Sequence, residues 1–149
     1  MPRFLVDTNV LLAATFEELP SHEAARTLME RIFASDDPWC LSWVNVYEYL
    51  RVATHARVFA RPLPFTDALR QVEEALGHPG LTVLTETQRH RTMLRRAVTD
   101  AGGARGNFVH DCHVAALMLE HDVRLVITED RHFRRFTFIE AKTIEQALT

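Results

Sequence analysis

Short apolar runs alternate with longer amphipathic segments along this chain. A short, mainly apolar run that ends at polar or turn-forming residues is typical of a buried strand. By this criterion we predict strands over residues 4–6, 39–41, 81–84, 124–127 and 138–140.

The segments between these runs carry apolar residues at helical spacing. Ala25, Leu28, Met29 and Ile32, for example, would line one face of a helix. We predict helices over residues 10–14, 67–76, 87–101 and 109–121, and others that begin near 21, 42 and 144. Strands separated by helices indicate an α/β fold with a parallel sheet. No repeat or linker divides the sequence, so we expect a single domain over residues 1–149.

Composition narrows the class of protein. The chain is 47% hydrophobic and 25% charged, which suits one globular domain with a real core. No apolar run approaches the roughly 20 residues that span a bilayer. The first residues lack the pattern of a secretory signal, and the two cysteines, Cys40 and Cys112, are too few for a disulfide framework. We therefore expect a cytoplasmic protein, without a membrane partner, whose cysteines are core residues.

The acidic residues suggest the chemistry. Asp7 and Asp130 follow predicted strands, where ligands of open α/β sheets bind. Asp111 lies in the first turn of a predicted helix, and Glu48 lies among apolar residues of another. Each has a purely structural alternative: a helix cap, a first-turn charge, a turn, or for Glu48 a pair with Arg51. If all four meet in one cleft, their repulsion requires protons or a hard cation, for which oxygen ligands favour Mg²⁺ or Mn²⁺.

Four segments of the sequence resemble those of PIN-domain ribonucleases, specifically the VapC-type toxins of bacterial toxin–antitoxin pairs. They are residues 4–12 (FLVDTNVLL), 47–51 (YEYLR), 110–117 (HDCHVAAL) and 128–136 (TEDRHFRRF). Together they span nearly the whole chain. The resemblance implies a three-layer α/β/α fold with a central, mainly parallel sheet of four or five strands.

The resemblance also implies a metal-dependent endoribonuclease. Its metal-binding and catalytic acids would be Asp7, Glu48, Asp111 and Asp130, which would hold Mg²⁺ or Mn²⁺. Weaker candidates are Asn9 and Thr128, which would orient the carboxylates, and Asn107, which would cap a helix; Arg131, Arg134 and Arg135 would contact flanking RNA phosphates. The family further implies a small antitoxin partner and a homodimer.

Other functions remain open on the sequence alone. Asp7 could be the nucleophile of a phosphotransfer enzyme or phosphatase, although a haloacid-dehalogenase-like site wants an Asp where this chain has Asn9. A PIN-like module that binds without turnover is the second alternative. The histidines beside the acids, His110, His113 and His132, could act as ligands or acid–base groups, but metal-assisted hydrolysis does not need them.

Overall fold

A computed structural model describes residues 3–149 and contains five short strands. The strands are β1 (Phe4–Val6), β2 (Trp39–Ser42), β3 (Leu81–Leu84), β4 (Leu125–Ile127) and β5 (Glu140–Lys142). The helices are α1 (Thr8–Thr15), α2 (His22–Ala34), α3 (Trp43–Ala53), α4 (Phe65–Leu76), α5 (His90–Asp100), α6 (Phe108–Glu120) and α7 (Ile144–Leu148), with a 3₁₀ helix over Arg131–Arg135.

All the strand pairs of this sheet are parallel, in the order β3-β2-β1-β4-β5. The strand β1 is therefore central, between β2 and β4. Because the order changes direction at β1, the carboxyl ends of β1 and β4 border the kind of crevice in which open α/β sheets bind ligands. Asp7 directly follows β1, and the segment that contains Asp130 follows β4.

Helices cover both faces of the sheet. Alternate residues of the strands point to opposite faces, as the strand period requires. Leu5 and Val126 pack on one side with α5 and α6, while Phe4 and Val6 pack on the other with α1 and α2. The α/β fold with a five-stranded parallel sheet between helical layers is thus confirmed.

The last predicted strand was placed two residues too early. The apolar residues Phe138 and Ile139 pack into the core next to α6, but the amide of Ile139 donates to the carbonyl of Phe136 in a turn. Pairing with β4 begins only at Glu140, opposite Leu125. The strand itself is more polar than the segment before it. A prediction based on hydrophobicity therefore placed the strand on the preceding apolar residues.

The helix predicted over 87–101 begins later, at His90. The backbone amide and hydroxyl of Thr87 both donate to the carboxylate of Glu120, at 2.8 and 2.9 Å, which holds this residue outside the helix. The cysteines are free and fully buried, as expected of core residues. Within residues 3–149, no helix has both the length and the hydrophobicity to cross a membrane.

Candidate metal centre

The four acidic residues come from four different parts of the fold and meet at one edge of the sheet. Asp7 follows β1, Asp130 follows β4, Glu48 lies on α3 and Asp111 lies in the first turn of α6. Glu48, Asp111 and Asp130 line one open cleft of about 790 Å³. Asp7 is only 8% exposed, and its charge acts on Asp111.

Four neutral donors hold the Asp7 carboxylate in place. One oxygen, Oδ1, accepts from the backbone amide of Thr8 at 2.8 Å and from Asn45 Nδ2 at 3.2 Å. The other, Oδ2, accepts from the hydroxyl of Thr128 at 2.7 Å and from Asn9 Nδ2 at 3.0 Å. The side chain is therefore rigid, and the helix-capping role that its position suggested coexists with its place in the cluster.

Asn45 is a buried site residue that the sequence analysis missed. It belongs to a capping box in which Ser42 is the N-cap of α3: Ser42 Oγ accepts from the Asn45 amide, and Asn45 Oδ1 accepts from the Ser42 amide at 3.1 Å. This reciprocal pairing aims the Asn45 amide nitrogen at Asp7. The sequence did contain a signal for this role: Asn45 stands three residues after Ser42, the predicted N-cap, which is the spacing of a capping box.

Burial and mutual repulsion make two of these carboxyl groups hard to ionise. Burial raises the pKa of Asp7 to about 6, against the opposing hydrogen bonds from Thr128 and Thr8, and the charges of Glu48 and Asp130 add to the increase. The pKa of Asp111 rises to about 7, first through burial and then through the charges of Asp130, Asp7 and Glu48. No positively charged side chain is among the groups that shift either pKa, so no cation of the protein offsets the effect of burial on these two acids.

His132 lies beside two of the acids. Its backbone amide donates to Asp130 Oδ1 at 2.9 Å, and its ring Nδ1 lies 3.2 Å from the same oxygen. Ligand atoms of Asp111, Asp130 and His132 lie within 4.8 Å of one another. Among the histidines beside the acids, His132 is thus the one placed to support the cluster, while His110 is exposed at the cleft.

The structure supports two of the three weaker candidates as neighbours of Asp7 but not the third as a helix cap. Asn9 and Thr128 contact Asp7, and Asn9 Nδ2 also donates to Thr128 Oγ1 at 3.0 Å. Asn107 precedes α6, but its side chain makes no capping hydrogen bond because its backbone is already helical; this prediction was wrong. Its exposed side chain lines the cleft instead.

The three candidate arginines lie on the 3₁₀ helix after Asp130. Arg135 donates to the carbonyls of Ala101 and Gly103, and its guanidinium lies 4.0 Å from the centre of the Phe108 ring. Arg131 and Arg134 are exposed, and none of the three lines the cleft in the described chain. Their contact with RNA stays a prediction. Arg51 of α3 does line the cleft.

Two aromatic side chains stand at the edge of the cleft. Trp43 and Tyr47 are 45% and 68% exposed, one turn apart on α3, with ring centres 6.3 Å apart. Both line the same cleft as Glu48. Tyr49 of the same helix is buried and packs in the core, so only one side of α3 presents aromatic rings to solvent.

Comparison with known proteins agrees with this geometry. The PIN domain family matches residues 4–139. The chain is 35% identical over 136 residues to ribonuclease VapC48 of Mycobacterium tuberculosis, an alignment that covers 91% of this chain and 93% of that protein. It is 34% identical to ribonuclease VapC25 of the same organism over 91% of this chain and 94% of the relative. The protein therefore belongs to the PIN-domain family.

A solved structure supports the fold independently. The VapBC-1 structure from nontypeable Haemophilus influenzae contains a chain with a TM-score of 0.65 and 17% identity, and the match covers 96% of this chain and 98% of that one. The resemblance to VapC-type PIN-domain ribonucleases inferred from the four sequence segments is thus confirmed.

Proposed function

We propose that this protein is a divalent-metal-dependent endoribonuclease and the toxin of a toxin–antitoxin pair. The observation that carries the proposal is the convergence of Asp7, Glu48, Asp111 and Asp130, with raised pKa values for Asp7 and Asp111. The relatives named as VapC ribonucleases support RNA as the substrate.

The residues of the cluster fit a hard divalent cation. Carboxylate oxygens are the ligands that Mg²⁺ and Mn²⁺ prefer, and a cation would offset the repulsion that keeps protons on Asp7 and Asp111. We assign Asp7, Glu48, Asp111 and Asp130 as its ligands. When bound, Mg²⁺ or Mn²⁺ supplies a Lewis acid for a phosphate oxygen and lowers the pKa of a coordinated water.

The residues around Asp7 orient its carboxylate for this role. A carboxylate has about four lone-pair sites, and the four protein donors use all of them. Asn9 can release its bond to Asp7 because its amide also donates to Thr128. Asn9, Thr128 and Asn45 are positioning residues on this account, since each acts through Asp7.

The burial of Asp7 argues against the phosphotransfer alternative. The phosphorus atom of a substrate would have to reach a nucleophilic Asp7, but this side chain is only 8% exposed and does not line the cleft. Hydrolysis without a covalent intermediate does not require contact between Asp7 and phosphorus. The predicted products carry 5′-phosphate and 3′-hydroxyl ends.

Single-stranded RNA would be held by side chains at the edge of the cleft. The exposed rings of Trp43 and Tyr47 offer stacking surfaces for bases, and the guanidinium of Arg51 suits a phosphate oxygen. Stacking depends little on base identity, so these contacts would bind an unpaired strand without reading its sequence. Arg131 and Arg134 would add phosphate contacts outside the cleft.

The partner proposal rests on the relatives. Solved chains with this fold come from VapBC structures, and we propose that a small antitoxin likewise binds this chain. We retain the homodimer and the cytoplasmic location as proposals on the same family grounds. If the chain is toxic when expressed alone, co-expression with a small antitoxin from a neighbouring gene should relieve the toxicity.

The central experiment compares RNA cleavage by the purified wild type with Asp7→Asn and Asp111→Asn. We expect cleavage that requires Mg²⁺ or Mn²⁺ and falls about 10²- to 10³-fold in each variant, since a neutral amide is a poor ligand for a hard cation. Asp122→Asn is the matched control, because Asp122 is an exposed acid beyond the far end of α6.

Other outcomes would support the alternatives. Tight RNA binding without cleavage in either metal would favour the binding module. A phosphoryl group trapped on Asp7 would favour phosphotransfer. Metal-dependent cleavage that survives both substitutions would place the active site elsewhere.

A second experiment tests the aromatic edge of the cleft. Loss of one stacking ring, in Trp43→Ala or Tyr47→Ala, should weaken the binding of single-stranded RNA by about 5- to 100-fold. The single-turnover cleavage rate at saturating RNA should change little, because neither ring belongs to the acidic cluster. Val58→Ala, an exposed apolar residue outside the cleft, is the control. Unchanged affinity in both ring variants would refute the stacking contacts.

A further inference from the structure

A second group of potential metal ligands lies beside the acidic cluster. Glu86 lies between β3 and α5, His90 begins α5, and His113 lies on α6. One ligand atom from each of the three lies within 4.8 Å of the other two. His113 Nε2 is 2.7 Å from Glu86 Oε1, and the rings of His90 and His113 have centres 5.2 Å apart.

A buried carboxylate fixes the orientation of His90. The Glu120 side chain is fully buried, and one of its oxygens, Oε2, lies 2.7 Å from His90 Nδ1. Its other oxygen accepts from the amide and hydroxyl of Thr87. A carboxylate oxygen accepts hydrogen bonds, so we assign His90 Nδ1 as the donor to Oε2, which leaves Nε2 as the ring nitrogen that a metal ion could bind.

This arrangement matches the support that metal-binding histidines usually have. A ligating histidine almost always donates its other ring nitrogen to a carboxylate or carbonyl group, which sets the tautomer and the ring orientation. Here Glu120 gives that support to His90, although Glu120 itself is too enclosed to be a ligand.

We propose that Glu86, His90 and His113 form a binding site for a borderline transition-metal ion of the Zn²⁺ class, separate from the acidic cluster. Two imidazoles and one carboxylate are a ligand set that suits Zn²⁺ and disfavours Mg²⁺. Three protein ligands leave a fourth position open for water or a phosphate oxygen. Glu86 and His113 line the cleft, so this position is on the side from which RNA would approach.

The ligand spacing needs only a small adjustment. Ligand atoms of a tetrahedral zinc ion lie about 3.3 Å apart, given Zn–N distances of about 2.0 Å. The contact between His113 and Glu86 is shorter than this, but the Glu86 side chain is 49% exposed, so it has room to move away from His113 when an ion binds. A bound ion would tie the segment before α5 to α6 and thereby stabilise the fold.

The test uses Co²⁺ as a spectroscopic probe on the purified, chelator-treated full chain. Excess Mg²⁺ occupies the carboxylate cluster during the titration. We expect one equivalent of Co²⁺ to bind with the strong visible absorption of a tetrahedral site, and Zn²⁺ to displace it. Glu86→Gln, His90→Ala and His113→Ala should each lose this absorption, and Glu120→Gln should weaken binding about 10- to 100-fold.

Two controls identify the site. His110→Ala, an exposed histidine on the same helix, should leave Co²⁺ binding unchanged. Loss of absorption in His132→Ala but not in His90→Ala would place the ion with Asp111 and Asp130 and overturn the proposal. Absence of tetrahedral absorption in the wild type would overturn it as well. Thermal unfolding of each variant separates loss of the site from loss of the fold, and none of these readouts depends on RNA cleavage.

Discussion

The two ends of α6 carry carboxyl groups whose pKa values shift in opposite directions. Asp111, in the first turn, has its pKa raised to about 7, whereas Glu120, the last residue, has a lowered pKa although its side chain is fully buried. The helix dipole favours the reverse, because it stabilises negative charge at the N-terminus. Burial raises the pKa of both groups, so neither burial nor the dipole explains why the two shifts have opposite signs.

The neighbouring side chains account for the difference. Glu120 accepts hydrogen bonds from Thr87 and lies against His90, so the protein itself stabilises its charge. Asp111 faces Asp130, Asp7 and Glu48, all of which repel its charge. The first carboxylate is satisfied within the fold, whereas the second keeps its proton to a higher pH. We therefore base the proposed metal site on the cluster of acids and not on burial alone.

Substitutions at the two ends of α6 should change stability in opposite directions. In metal-free protein at pH 8, Glu120→Gln should lower the free energy of unfolding by about 1–3 kcal/mol, because it weakens hydrogen bonds to a buried charge. Asp111→Asn should raise it by about 1–2 kcal/mol, because it removes a repelled charge. Urea denaturation with a chelator measures both. Destabilisation of similar size in both variants would contradict the proposed difference between Glu120 and Asp111.

The raised pKa values should also appear in the pH dependence of stability. Asp7 and Asp111 have pKa values of about 6 and 7 in the folded protein, above the ordinary value of 3.8. The folded state therefore holds protons that the unfolded chain has released, so their contribution to stability is complete below about pH 4. It should be lost as pH rises through about 6 to 7.

The Asp111→Asn variant isolates this contribution. The difference in unfolding free energy between wild type and variant, measured without metal, should change with pH between about 4 and 7 and become constant above that range. Added Mg²⁺ should reduce the wild-type loss at high pH, because the cation favours the ionised carboxylates. A difference that is independent of pH would show that Asp111 titrates normally.

Most of the fold could be predicted from the sequence because four of the five predicted apolar runs form strands. The strand β5 was misplaced because Phe138 and Ile139 pack into the core before the polar edge strand begins at Glu140. The four acids were found from their positions at strand ends and on helices. Asn45 and the His90–Glu120 pair were missed because their roles depend on contacts between distant residues, 38 and 30 positions apart.

The most direct test of the central claim is to locate Mn²⁺ by anomalous diffraction from crystals of the wild type and of Asp111→Asn. The account predicts an anomalous peak bordered by the carboxylates of Asp7, Glu48, Asp111 and Asp130 in the wild type, and a weak peak or none in the variant. A wild-type crystal with no Mn²⁺ among these carboxylates, from protein that cleaves RNA in the same metal, would contradict it.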